Sequence, residues 1–177
     1  FSMAEQGKTD QTIMVLEKLH SEAALRSSTA QTYKLLAAMH DQNNDRDAVR
    51  LVMQRMLDTV ATKGSGWSRH HADNKEIIES SRQLCKDTVH DFAVRFHKVG
   101  LKAKEKDYLV SAADLYALYL QSFPDAENAY DVRYYLADLQ FDQKQFAKSY
   151  ENFKIVSNLK GPEAKYSKDA ALNAIVA

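Results

Sequence analysis

Residues 93–124 read AVRFHKVGLKAKEKDYLVSAADLYALYLQSFP and residues 133–162 read RYYLADLQFDQKQFAKSYENFKIVSNLKGP, and the spacing these two stretches share decides the fold. In the first, Phe96 precedes Val99 and Gly100, followed by Leu109, Ala112, Tyr116 and Pro124. In the second, Arg133 and Tyr134 precede Leu136 and Ala137, followed by Phe146, Ser149, Phe153, Gly161 and Pro162. Each stretch sets a small residue (Gly100 or Ala137) twelve positions before another (Ala112 or Ser149), with an aromatic four residues further on. Antiparallel helices joined by a short turn approach closely only where the facing side chains are small. The expected contacts are therefore Gly100 against Ala112 and Ala137 against Ser149, with the aromatics wedged against the next unit. Self-similarity of a helix–turn–helix unit at a fixed period marks a helical solenoid, and such arrays commonly bind other proteins.

Over roughly residues 93–163 the pattern resembles the tetratricopeptide repeat: an aromatic, then Leu-Gly, then Ala with an aromatic four later, then a closing Pro. It departs from that repeat at Arg133, where an aromatic is usual, at Ser149 in place of Ala, and at Gln140 in a usually aromatic slot. The interval from Gly100 to Ala137 is 37 against roughly 34 in the standard repeat, and the extra residues fit the connection over 123–129. The resemblance implies an all-α, right-handed α-solenoid of antiparallel helix pairs, with about eight helices in this chain. It also implies a concave groove lined by the first helix of each unit. By register that groove exposes His97, Leu101 and Lys104 from one unit and Asp131, Tyr134, Asp138, Phe141 and Asp142 from the next. Aromatics beside acids suit an extended or helical peptide with apolar and basic side chains.

A wider likeness joins Trp67, Phe92-Ala93, Phe96-His97, Tyr119-Leu120, Phe123-Pro124 and the run from Asp169 to Ala174. Their order is similar to large tetratricopeptide proteins of gliding and predatory bacteria and to envelope-assembly lipoproteins. What this implies is a non-enzymatic interaction scaffold, a piece of a larger envelope or gliding machine, in the periplasm; a cytoplasmic setting is the alternative. A helical module that self-associates through its last helix, without a peptide groove, is the rival reading.

Composition bounds these readings. The 177 residues include only five Gly and two Pro, and both prolines fall where inter-helix loops are expected. No segment alternates at period two for long enough to suggest a strand. No run of about 18 apolar residues occurs, so no membrane span is expected. Twenty-four basic residues balance 24 acidic ones, and the longest cationic cluster, over 98–106, is broken by Glu105. Nucleic acid is therefore not an expected partner, since its binders carry a net basic face. The one cysteine, Cys85, excludes an internal disulfide and lies on an apolar helix stripe, which suits a small core residue better than a reactive thiol.

The chain divides, on this reading, into a tag remnant or disordered start (1–8), a degenerate helical repeat region (9–63), a loop (64–72), and a long helix with the better repeats (73–177). These repeats occupy about 93–126 and 127–163, with the start of another at 166–177, all within one continuous solenoid. Thr9 or Asp10 caps the first helix, which buries Ile13, Leu16, Leu19 and Ala23. Helices follow from about 28 to 42, with Tyr33 and Leu36 inward, and from Asp45, a cap, to about 62. Leu36 and Ala48, twelve apart, make the degenerate repeat pair. Asp73 with Glu76 forms a capping box. The helix it opens carries Ile77, Ile78, Leu84, Cys85, Val89, Phe92, Phe96 and Val99. Further helices lie near 105–122, 128–142, 145–159 and 166–177, the last ending uncapped as if cut from a longer array.

Chemistry is sparse. Adjacent His70 and His71 point apart, and His90 and His97, seven apart on one helix face, are separated by about 10 Å. Neither pair has metal-ligand spacing, and no His-Glu-x-x-His pattern occurs. No Gly-rich phosphate loop, nucleophile elbow or Cys–His pair is present. Asp138 and Asp142, one turn apart, would need a pocket to raise one carboxyl before they could act as acid and base. No catalytic residue, cofactor or metal is assigned. Trp67, in a glycine-flanked loop, is a loop residue tucked over the hydrophobic top of the long helix by the simpler reading and a hot-spot anchor by the other.

Overall fold

The structure, a computed structural model, describes residues 3–158 and 164–177. Every regular element among them is helical: α1 (Met3–Ala23), α2 (Thr29–Gln42), α3 (Arg46–Met56), α4 (Gly66–His70), α5 (Lys75–Ala103), α6 (Lys106–Ser122), α7 (Ala129–Asp142), α8 (Phe146–Ser157) and α9 (Ser167–Val176). All except the five-residue α4 span ten residues or more. The protein is all-α. The closing Gly161-Pro162 expected of the second repeat lies outside the described residues.

Contacts group the chain into two compact units, Phe1–Asp91 and Phe92–Ala177, with the division inside α5 rather than at the loop expected over 64–72. That loop itself contains α4. Ser65 caps it by accepting from the Ser68 amide at 3.0 Å, after Gly64 turns the chain at φ +78°. Trp67 is buried there, and its Nε1 donates to the Arg26 carbonyl at 2.8 Å, which makes it a core residue of the first unit. The expected start at Thr9 or Asp10 is also corrected, because α1 already runs from Met3. Asp45 does cap α3, accepting from the Ala48 amide at 3.0 Å. At the start of α5, Asn74 rather than Asp73 performs this service, accepting from the Ile77 amide at 3.1 Å. Asn at this position satisfies an orphan helix N–H as well as Asp does.

In the first unit the α2–α3 hairpin buries Tyr33, Leu36, Ala37, Val49, Val52, Met53 and Met56. A π-helical turn, Leu57–Ala61, ends α3 with Leu57, Val60 and Ala61 inward. In the second unit the α7–α8 hairpin has the same construction. Asn43, Asn44, Asp45 and Val49 donate their amides to Met39, Asp41, His40 and Asp45; Gln143, Lys144, Gln145 and Ser149 donate theirs to Leu139, Phe141, Gln140 and Gln145. Every donor and acceptor is displaced by 100 positions, from 44 to 144 and from 49 to 149. Asn44 and Lys144 close these turns in the left-handed region, at φ 56° and 60°.

By this register the first-unit positions that correspond to Ala137 and Ser149 are Ala37 and Val49, both fully buried, rather than Leu36 and Ala48. In the second unit Ala137 and Ser149 meet as expected, with the Ser149 hydroxyl donating to the Ala137 carbonyl at 2.8 Å. The α5–α6 hairpin differs. Its turn residue, Lys104 (φ 57°), follows Gly100 by four, whereas Lys144 follows Ala137 by seven. Gly100 is accordingly packed on Leu109: a Cβ there would stand 2.6 Å from Leu109 Cδ2 and 3.1 Å from its backbone nitrogen. Ala112 is buried further along α6. Measured between turns, these two hairpins repeat at 40 positions (104 to 144), not at the 37 expected from Gly100 and Ala137.

Candidate functional site

Eight of the nine tyrosines lie between Tyr108 and Tyr166, all in the second unit. Period 3.6 places Tyr130, Tyr134 and Ala137 on one side of α7, with Tyr135 beside them. Tyr166, at the entry to α9, is the hub they share. Its ring stacks on Tyr134 at 4.1 Å and 8° and lies against Tyr130 at 6.0 Å and 17°. Its hydroxyl meets that of Tyr135 at 3.1 Å, and its amide donates to the Tyr130 hydroxyl at 2.8 Å. Tyr134 also meets Phe153 edge-on at 5.8 Å. The chain of rings continues from Tyr135 to His97 (6.0 Å) and Tyr116 (6.3 Å), and His97 Nδ1 lies 3.2 Å from the Tyr116 hydroxyl. Aromatic contacts of this kind each contribute about 0.5–1.5 kcal/mol beyond the area they bury. Beneath them, Ala137, Phe153, Val156 and Ala170 form a buried cluster on which Tyr130, Tyr134, Phe141 and Tyr166 pack.

The environment moves several of these groups. Burial lowers the His97 imidazole and raises the Tyr116 phenol. The hydrogen bond shared with Tyr166, then burial, raises Tyr135. Tyr134 is raised by burial first and by Asp138 second. Asp138 is open to solvent, so the withdrawal of water that is the larger cause of its raised carboxyl is partial; the charge of Asp142, one turn on, adds to it.

The eight expected groove residues thus separate into two sets. His97, Asp131, Tyr134 and Phe141 are half-buried and occupied within the fold. Asp131 accepts from Lys165 Nζ at 2.8 Å, and Phe141 meets Phe146 at 5.4 Å. Asp131, Tyr134 and Phe141 lie on α7 and His97 on α5, and Tyr166, at the entry to α9, stacks on Tyr134. Leu101, Lys104, Asp138 and Asp142 are exposed, with Leu101 at 59%. Asp142 borders a cleft of about 650 Å³ that Lys106, Leu109, Val110, Leu139 and Gln143 also line. Tyr135 and Tyr166 were not singled out by sequence, although the clustering of tyrosines pointed to them.

Cys85 is buried, and burial pushes its thiol up to about 12, far from a nucleophile's range. Among the described residues no three His, Cys, Asp or Glu side chains converge in a way that could hold a metal ion. No helix among them is long and apolar enough to cross a membrane.

Compared with known proteins, the chain matches no family model, no curated protein and no solved structure.

Proposed function

We propose that the protein is a non-enzymatic interaction scaffold of tetratricopeptide type, an α-solenoid segment that binds a basic, apolar peptide or protein segment along the exposed side of α7. The observation that carries this reading is the repetition of one hairpin plan: α2–α3 and α7–α8 use the same amide-to-carbonyl pattern and the same left-handed turn residue, 100 positions apart. Asp142 lines the cleft that contains Leu109 and Val110, with Lys106 and Lys144 also on its lining, and Asp138 is exposed one turn before it on α7. Such a surface suits helix-in-groove or extended-peptide recognition. A place in a bacterial envelope or gliding machine, with a periplasmic location, belongs to this proposal on resemblance alone.

The test is light scattering after size exclusion, followed by thermal scans with a designed Leu/Lys amphipathic peptide. We expect a monomer whose melting temperature rises with peptide. Replacing Asp138 and Asp142 together by Asn should weaken binding about tenfold, as loss of two charge-assisted contacts implies. Both side chains are exposed, so the double variant should fold normally. The rival is a structural module that self-associates through α9, whose Leu172, Ile175 and Val176 are 64, 82 and 66% exposed. A concentration-dependent dimer indifferent to the peptide would establish the rival and end the groove reading.

A further inference from the structure

Two of the three departures of the second repeat from its expected pattern fall together. Arg133 and Gln140 line one cleft of about 610 Å³ between α6, α7 and α8, together with Asn152 and the apolar Ala117, Leu120 and Leu136. Arg133 Nη1 donates to Asn152 Oδ1 at 3.0 Å, and Asn152 Nδ2 donates to Gln140 Oε1 at 2.9 Å. Polar side chains thus replace the aromatic pair that would otherwise fill this space, and they are joined in one row. Ser149, the third departure, is spent inside the hairpin on the Ala137 carbonyl.

Arg133 is the unusual member. Its guanidinium is half-buried, and among the described residues no carboxylate lies within ion-pair distance of it. Its one side-chain hydrogen-bond partner is the neutral amide oxygen of Asn152, and burial lowers its proton affinity. Lys148 and Glu151 also line the cleft, so its charged side chains are two cations and one anion and the lining is net positive. A guanidinium taken from water without a counter-charge costs stability, whereas a planar carboxylate can engage two of its five donors at once. Arg133 and Asp138 are five residues apart, about 140° around α7 at 100° per residue. The helix therefore offers opposite charges to two different sides.

We propose that this cleft is a second binding site, one that takes a carboxylate side chain flanked by apolar residues from a partner polypeptide, with Arg133 as the anchor and Asn152 and Gln140 holding it in place. The ligand chemistry follows from the cleft: a fork of donors in a net positive lining beside Ala117, Leu120 and Leu136. This site is independent of the acid-lined surface on the other side of α7.

The test uses two blocked peptides, acetyl-Leu-Glu-Leu-amide and its Gln counterpart, titrated into the intact ¹⁵N-labelled protein at low salt. The Arg133 Nε–H and Asn152 side-chain amide resonances should shift and saturate with the Glu peptide. The Gln peptide should bind about tenfold more weakly or worse, because it lacks the charge that pairs with the guanidinium. Arg133→Met should abolish the preference while raising the denaturation midpoint, since an unpaired half-buried charge is removed. Equal shifts from both peptides, or shifts confined to residues elsewhere, overturn the assignment. So does an Arg133→Met protein that retains the Glu preference. Should the variant fail to fold, the Glu-against-Gln comparison on the natural chain decides alone. The Leu/Lys peptide serves as the cross-check: if it binds while the Glu peptide does not, the groove reading stands and the Arg133 site falls.

Discussion

At the scale of single residues, Gly100 shows how one atom sets a packing distance. Helix propensity alone favours replacing it, because Gly costs about 1 kcal/mol relative to Ala within a helix. Opposing this is Leu109, whose Cδ2 and Cγ would lie 2.6 and 2.8 Å from a new Cβ, with its backbone nitrogen at 3.1 Å. The side-chain atoms could swing aside, but the backbone nitrogen moves only if α6 shifts against α5. Overpacking of this kind costs typically about 1–3 kcal/mol, so it outweighs the propensity gain. Gly100→Ala is expected to lower stability by about 1 kcal/mol, read as a reduced urea midpoint at unchanged slope. A midpoint that rises would show that the two helices do not rest on each other there.

At the scale of elements, the turns explain what could and could not be read in advance. Helix limits near 28–42, 105–122 and 128–142 were legible because polar turns and the 3.6 period agree there, and at the start of α3 the Asp45 cap adds to them. The hairpin register was harder. Apolar residues recur every three or four positions along a helix, so a pattern fits almost as well one turn out of place, and Gly100 drew the comparison to itself. The true marker is the left-handed residue that closes each turn, and here it is Asn44, Lys104 or Lys144, none of them glycine. Sequence gives no signal for a lysine at φ near 60°. The Tyr166 hub was hidden for a related reason: a long-range stack leaves no local periodicity. These turns also carry a prediction. An L-residue other than Asn or Asp costs about 1–2 kcal/mol in the left-handed region, partly offset by the extra chain entropy that Gly loses on folding. Lys144→Gly and Lys104→Gly should therefore each gain up to about 1 kcal/mol, and Asn44→Gly less, since Asn tolerates this region. Thermal melts of the three variants read the order directly, and losses at both lysines would contradict the turn assignment.

At the scale of the whole molecule, each unit holds one buried or half-buried histidine that the fold prefers neutral, which sets the pH dependence of stability. In the first unit His20 stacks on Tyr33 at 3.8 Å and 11°, with Nε2 2.8 Å from Thr32 Oγ1 and Nδ1 buried without a hydrogen-bond partner. Burial, then the charge of Arg55, lowers its affinity for a proton; Glu17 opposes this, but its carboxylate is already held by Arg55 through two bonds of 2.8 Å. In the second unit burial alone lowers His97. In both cases the unfolded chain binds the proton more tightly than the folded one, so stability rises with pH wherever the two states differ in protonation. The contribution is complete above the ordinary histidine range, near 6.5, and is lost as pH falls through that value toward the lowered folded-state values. Between pH 7.5 and 5.5 the Glu17 carboxylate, held below its ordinary value by Arg55, stays out of the titration. Urea midpoints should fall steadily across that window, and His20→Gln and His97→Gln should each flatten part of the slope. His20→Gln should act on signals from residues up to Asp91, and His97→Gln on signals beyond it. A midpoint that is level or rises toward pH 5.5 would mean that neither imidazole is held neutral by its surroundings, and the aromatic packing drawn around both would have to be wrong.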